Sequence, residues 1–127
     1  MTVAKTGVPA SIGTNTEVVT FTQVHPGAGV ALSSEQLAVA SRRVFAVEID
    51  NTSNADPSWL KLWVSSPTIG TTVPTMILKA DGNTKVQYTV DRGVVLSLIY
   101  AAVLTTKGTA GTTAPAGTVT TRMLLGT

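Results

Sequence analysis

The sequence predicts an all-β protein: a single β-sandwich or jelly roll of about seven to eight antiparallel strands behind an extended N-terminal arm. Three observations carry that expectation. The chain is rich in Thr and Val, β-branched residues that lose rotamer freedom in a helix and fit a pleated surface. Apolar residues recur at every second position in segment after segment. Gly, Pro, Asn and Asp cluster between those segments, as turns in a sandwich require.

The elements follow in chain order. Residues 1–16 carry Gly7, Pro9 and Gly13 without a periodic pattern and read as an extended arm. Residues 17–24 alternate, with Val19 and Phe21 opposed to Thr20 and Thr22. His25-Pro26-Gly27-Ala28-Gly29 is a turn. Residues 34–41 are ambiguous. Ser33 and Gln36 have the spacing of a capping box, and Arg42 and Arg43 would suit a helix C-terminus. Leu37, Val39 and Ser41 alternating with Ala38 and Ala40 read as a strand, which the all-β context favours.

Residues 43–51 set Phe45, Val47 and Ile49 against Ala46, Glu48 and Asp50. The polar stretch 51–58 is a loop with Asx-turn chemistry. Residues 59–65 put Leu60, Leu62 and Val64 on one side and Trp59, Lys61 and Trp63 on the other. Residues 75–79 form a short apolar run, and Asp81-Gly82 after it is a hairpin signal. Residues 85–90 oppose Val86, Tyr88 and Val90 to Lys85, Gln87 and Thr89. Residues 94–104 are apolar on both faces and are expected to form one central strand. Residues 105–117 are a Gly/Thr-rich loop, long enough to be either a mobile tip or a segment ordered against a partner. The final run, 118–125, sets Val119, Thr121, Met123 and Leu125 against Thr120, Arg122 and Leu124.

Size and composition bound the organisation. With 127 residues the chain is one domain, an arm over 1–16 and a sandwich over 17–127. Charged residues make up 13%, against about 25% in ordinary globular chains. The mean hydropathy is +0.30. So little charge excludes charge-driven disorder and a Glu/Lys-laced coiled coil. The absence of cysteine excludes disulfides and thiolate metal sites. The net charge is +2 and the basic residues are scattered apart from Arg42–Arg43, so no nucleic-acid partner is expected. Residues 1–7 hold one positive charge and no apolar h-region, and no apolar run reaches the length of a membrane helix. Neither export nor a membrane partner is expected.

Reactive chemistry is sparse. His25 is the single histidine and sits in a turn, where it cannot build a transition-metal site alone. Asp50, Asn54 and Asp56 make an oxygen-rich loop that lacks the EF-hand pattern, and turn hydrogen bonding accounts for them. Glu48 and Asp50 share a polar strand face. No serine has a histidine to activate it, and no glycine-rich loop bridges a strand to a helix. The expectation is a non-enzyme with no catalytic, cofactor-binding or metal residues. Trp59 and Trp63 lie on one strand face with Lys61, an arrangement that could stack sugar rings. The plainer reading packs one tryptophan at the core edge and the other under a loop or a neighbouring subunit.

Residues 32–64 run from Leu32-Ser33-Ser34-Glu35-Gln36-Leu37 through Arg42-Arg43 to Ile49-Asp50-Asn51-Thr52-Ser53 and Leu60-Lys61-Leu62. Ser66-Pro67-Thr68-Ile69-Gly70-Thr71-Thr72-Val73-Pro74 follows, and Gly93-Val94-Val95 leads into the long apolar run, the Gly/Thr loop and the final strand. Over residues 30–125 this pattern resembles small structural proteins of tailed bacteriophages. The resemblance implies a β-sandwich or jelly roll in the virion, assembled in the host cytoplasm. It implies a capsid decoration (cement) protein, or a neck, tail or fibre-attachment subunit, with the major capsid protein or other virion proteins as partners and a homo-oligomeric state. A carbohydrate-binding module, with a glycan partner, is the alternative from another class. The interface candidates are Thr2, Val3, Lys5, Val8 and Ile12 in the arm, Trp59 and Trp63, and Thr109, Thr112 and Pro115 in the loop.

Overall fold

A computed structural model describes residues 2–7, 16–27 and 29–127. Among them are nine strands and no helix: β1 (Thr2–Gly7), β2 (Glu17–Gln23), β3 (Glu35–Ala38), β4 (Arg42–Asp50), β5 (Ser58–Trp63), β6 (Met76–Ala80), β7 (Lys85–Leu96), β8 (Ile99–Leu104) and β9 (Val119–Gly126). They form two antiparallel sheets. Sheet A has the order β1-β2-β9-β4-β7 and sheet B the order β3-β8-β5-β6. The pairing is nested. β5 pairs with β6, β4 with β7, β3 with β8 and β2 with β9, as in one long hairpin rolled over itself. The cross-pairs β4–β9 and β5–β8 close each sheet.

The period-two patterns build the core between the sheets. Val19, Phe21, Val47, Ile49, Val119, Met123 and Leu125 point inward from sheet A, and Leu60, Leu62, Ile99, Ala101 and Val103 from sheet B. Burying each large apolar side chain is worth about 1.5–3 kcal/mol, so this contact between faces is what holds the sandwich together. Thr121 sits in the same layer between Phe21 and Ile49, and its buried hydroxyl has no hydrogen-bond partner among the described residues.

Two polar devices sit inside this apolar frame. β3 is only four residues long, so β8 runs on past it with backbone groups that face no strand. Gln23 fills the gap: its Nε2 donates to the Val103 carbonyl at 2.7 Å, and the Val103 N–H donates to its Oε1 at 2.7 Å. A side-chain amide thus stands in for the missing strand and ties sheet A to sheet B. At one end of the sandwich the buried Asn51 Nδ2 donates to the carbonyls of Asp56, Ala80 and Asp81, while its Oδ1 accepts from Asn54 and Ser58. Asn54 exchanges hydrogen bonds with the Gly117 backbone. Three loops are fastened at this node, which is why buried amides are tolerated there.

Several local expectations change. Thr2–Gly7 is not part of a free arm: it pairs with Glu17–Thr22 as the edge strand of sheet A. Val8 and Ile12 lie outside the described residues. Residues 35–38 are a strand, and the helix alternative for 34–41 falls away because β3 pairs along β8. The run 94–104 is not one strand. It breaks at Ser97-Leu98, and the chain passes from β7 in sheet A to β8 in sheet B. Two linking residues just span the ~10 Å between packed sheets. Asp81-Gly82 turns as expected but makes no hairpin, since β6 and β7 belong to different sheets.

Phe45 leaves the inward phase. It is the extra residue of a bulge on β4, opposite the stretch 90–93 that loops out of β7 between Thr89 and Val94. Its ring lies over Gly93 and Gly126, where a Cβ would come within 3.1 and 2.7 Å of it. Gly93 also has a φ of +72°, so both backbone shape and ring contact require glycine there.

Candidate functional site

Each sheet has an outward face, and the two are treated differently by the rest of the chain. On sheet B the outward residues include Trp59, Lys61 and Trp63 of β5 and their register partners Leu104, Ala102 and Tyr100 of β8. Such large apolar groups cannot face water cheaply. The loop 64–75 and the loop 105–117 lie over them. The Trp63 indole N–H donates to the Thr72 carbonyl at 3.0 Å, and Trp63 is only 2% exposed. The Lys61 ammonium donates to the Gly108 carbonyl. The two loops meet where a Cβ on Gly70 would press on Thr112. The Gly/Thr loop closes on itself through Thr105 N–H to the Thr113 carbonyl at 2.9 Å, and returns to the Asn54 node at Gly117.

Lys61 is fully buried, and no carboxylate pairs with it among the described residues. Burial pushes its ammonium below the usual lysine range. Beside it, at the β5–β6 edge, the loop cover stops. Trp59, Ile77, Lys79, Lys107 and Gly108 line an open cleft of about 360 Å³ there. A second cleft, of about 550 Å³, is lined by His25, Pro26, Gly27 and Leu32 on one side and by Ile69 and Thr112 of the two covering loops on the other. The His25 Nδ1 accepts from the Gly27 N–H at 3.0 Å, so this histidine braces its own turn.

On sheet A every outward residue of the central rows stays half-exposed or exposed. Register places Val18, Leu124, Ala46 and Thr89 in one row across the strands. Thr20, Arg122, Glu48 and Gln87 form the next row, and Thr22, Thr120, Asp50 and Lys85 the one after. Arg122 and Glu48 pair at 3.0 Å in the middle. Asp50 is held below the usual carboxylate range, first by the Thr52 hydroxyl at 2.6 Å and then by the Thr52 N–H at 3.1 Å.

The interface candidates therefore divide. Val3 and Lys5 lie on β1 at the edge of sheet A, Val3 half-buried and Lys5 exposed, and Thr2 begins that strand. Trp59 is half-buried on the open part of sheet B. Trp63 and Pro115 are buried by this chain's own loops, while Thr109 is half-buried and Thr112 exposed on the covering loop. No single surface collects all of them. Lys79 and Lys107 escape sequence reasoning because their nearness to Trp59 depends on strand register and on the return of a loop. Asn54 faces Asn51 and Gly117, so its side chain serves the loop node. Among the described residues no three His, Cys, Asp or Glu side chains come together as a metal site. Comparison with protein-family models, with curated proteins and with solved structures finds no match.

Proposed function

We propose that the chain is a non-enzymatic structural protein of a tailed-phage virion, and within it a capsid decoration protein that binds the assembled shell of major capsid protein. The observation that carries this reading is the outward face of sheet A, whose central residues stay half-exposed or exposed among the described residues. It sets Thr, Val, Ala and Leu beside two cross-strand pairs of opposite charge, Arg122 with Glu48 and Asp50 with its register partner Lys85, and its neutral row of Val18, Leu124, Ala46 and Thr89 gives up little hydration when another protein covers it. Five strands at about 4.8 Å spacing and about six residues at 3.3 Å give roughly 500 Å² in projection, the centre of a standard interface of about 800 Å² per partner.

The nested strand pairing supports the same reading at the level of fold, since a jelly roll, which we propose here, would wind in this way with β1 added at the edge. Jelly rolls serve viral capsid and lectin domains alike, so the argument rests on the face and not on the winding. Stabilisation follows by mass action, because a protein that binds the assembled shell and not its free subunits favours assembly.

The test is occupancy on particles. Leu124→Glu puts a carboxylate into the apolar row of the face. It should abolish shell binding and the accompanying rise in shell melting temperature, while the free protein keeps its fold. Undiminished binding sinks this reading. Copy number in an image of the particle separates the sites: hundreds of copies mark a decoration protein, about a dozen or fewer a neck or tail subunit.

A further inference from the structure

The cleft at the β5–β6 edge combines three features that the fold does not need. Trp59 presents part of its indole there, with Ile77 beside it. Lys79, the register partner of Trp59, holds its ammonium 6.0 Å from the indole centroid. Its backbone is pinned in turn, because the Tyr88 hydroxyl donates to the Lys79 carbonyl. Lys107 enters from the loop on the other side, and the buried Lys61 lies behind Gly108. Of these three lysines only Lys79 has an acidic partner among the described residues, Asp81 at 3.1 Å on the exposed side. The cluster carries a surplus of two positive charges, as many as the whole chain. A concave site lined with one sign of charge concentrates ligands of the other.

We propose that this cleft binds an anionic sugar residue, its apolar ring face against Trp59 and its carboxylate toward Lys79 and Lys107. The indole selects for a flat C–H face, which a pyranose ring has and the flexible stem of an acidic amino acid lacks. The lysines act as point charges that accept a carboxylate in several orientations. The volume suits a small ligand of one or two rings. Lys61 adds positive potential from below without reaching the ligand. Gly108, at a φ of +82°, turns the loop so that its carbonyl meets Lys61, and nothing lies within 4 Å of where a Cβ would stand. This site is independent of the virion reading, since it lies on the other sheet from the proposed contact face.

Trp63 is buried, so changes in tryptophan fluorescence report on Trp59. The protein is titrated with 3′-sialyllactose and with trigalacturonate, and in parallel with lactose and hexaglutamate. At least one acidic saccharide should bind with a millimolar or tighter Kd, at least about tenfold more tightly than either control. K79Q/K107Q should weaken that binding at least about tenfold and leave the urea midpoint unchanged, since both residues are exposed. Trp59→Phe, which removes the fluorescent reporter and is therefore titrated by isothermal calorimetry, should weaken it while keeping the preference for acid. No binding of either acidic saccharide at millimolar concentration overturns the proposal. So does binding that K79Q/K107Q leaves intact, or hexaglutamate binding as tightly as the sugars.

Discussion

On sheet B, Lys61, Trp63, Ala102 and Leu104 point away from the core and are buried all the same, because two loops of the same chain lie on them. On sheet A, Thr20, Thr22, Thr120 and Leu124 point away from the core and stay half-exposed. The contrast shows what a sandwich does with the second face of each sheet. An outward face that carries large apolar side chains has to be covered, and the chain uses about a fifth of its length for that purpose in residues 64–75 and 105–117. An outward face of threonines and paired charges can remain wet, and its neutral row can meet a partner at small desolvation cost. Low charge alone therefore marks neither face as an interface; the cover decides.

The largest expected effect lies under the cover. Trp63→Ala removes the indole that anchors the 64–75 loop, and it should cost about 3–5 kcal/mol in urea unfolding. A loss below about 1 kcal/mol would mean the loops merely rest on sheet B. Next comes Lys61. With its ammonium destabilised by burial, the folded state binds fewer protons than the unfolded one between the lowered folded pKa and the ordinary unfolded value of about 10.4. Stability should therefore rise with pH through that window and not below it, by at most about 1.4 kcal/mol per pH unit. Lys61→Met should flatten the rise. A slope that persists in the variant would show that Lys61 is hydrated and the cover loose.

Thr121→Val tests the inner side of sheet A. It removes a buried hydroxyl without a partner among the described residues and should stabilise by about 1 kcal/mol, read as a higher urea midpoint. The smallest effect belongs to the open face. Thr120→Ser or Gln87→Ser should shift stability by less than about 0.5 kcal/mol. A larger loss would mean that part of the chain covers sheet A as well.

Much of this architecture is legible in the residues. Alternation names the inward side chains of β2, β5 and β9 because a half-buried strand must expose every second residue to a different medium. It fails at Phe45, where a bulge shifts the phase, and at Ser97-Leu98, where both neighbouring strands are apolar and only a change of sheet marks the boundary. The hairpin signal at Asp81-Gly82 fails for a related reason: a turn is local, but the partner of the strand that follows is chosen by the whole fold. The same limit hides the cleft. Trp59 and Lys61 are visible together in one strand, whereas Lys79 arrives by register and Lys107 by a loop whose Gly/Thr composition reads as a free tip. In fact that loop is fastened at Gly108, Thr113 and Gly117.

The nested pairing has a kinetic consequence. β5 and β6 are neighbours in the chain, but β2 meets β9 across nearly the whole sequence, with Glu17 opposite Leu125. Closing so long a loop directly is entropically costly, while each inner pair that forms first shortens the loop left for the next. Folding should therefore zip outward from the β5–β6 hairpin, on the millisecond-to-second scale of folds rich in distant contacts. β9 is made after all the other strands, yet it sits in the middle of sheet A between β2 and β4. Until it arrives, those two strands present unpaired edges to each other and to any other nascent chain. Solubility during synthesis then depends on how quickly the cell completes the chain through β9.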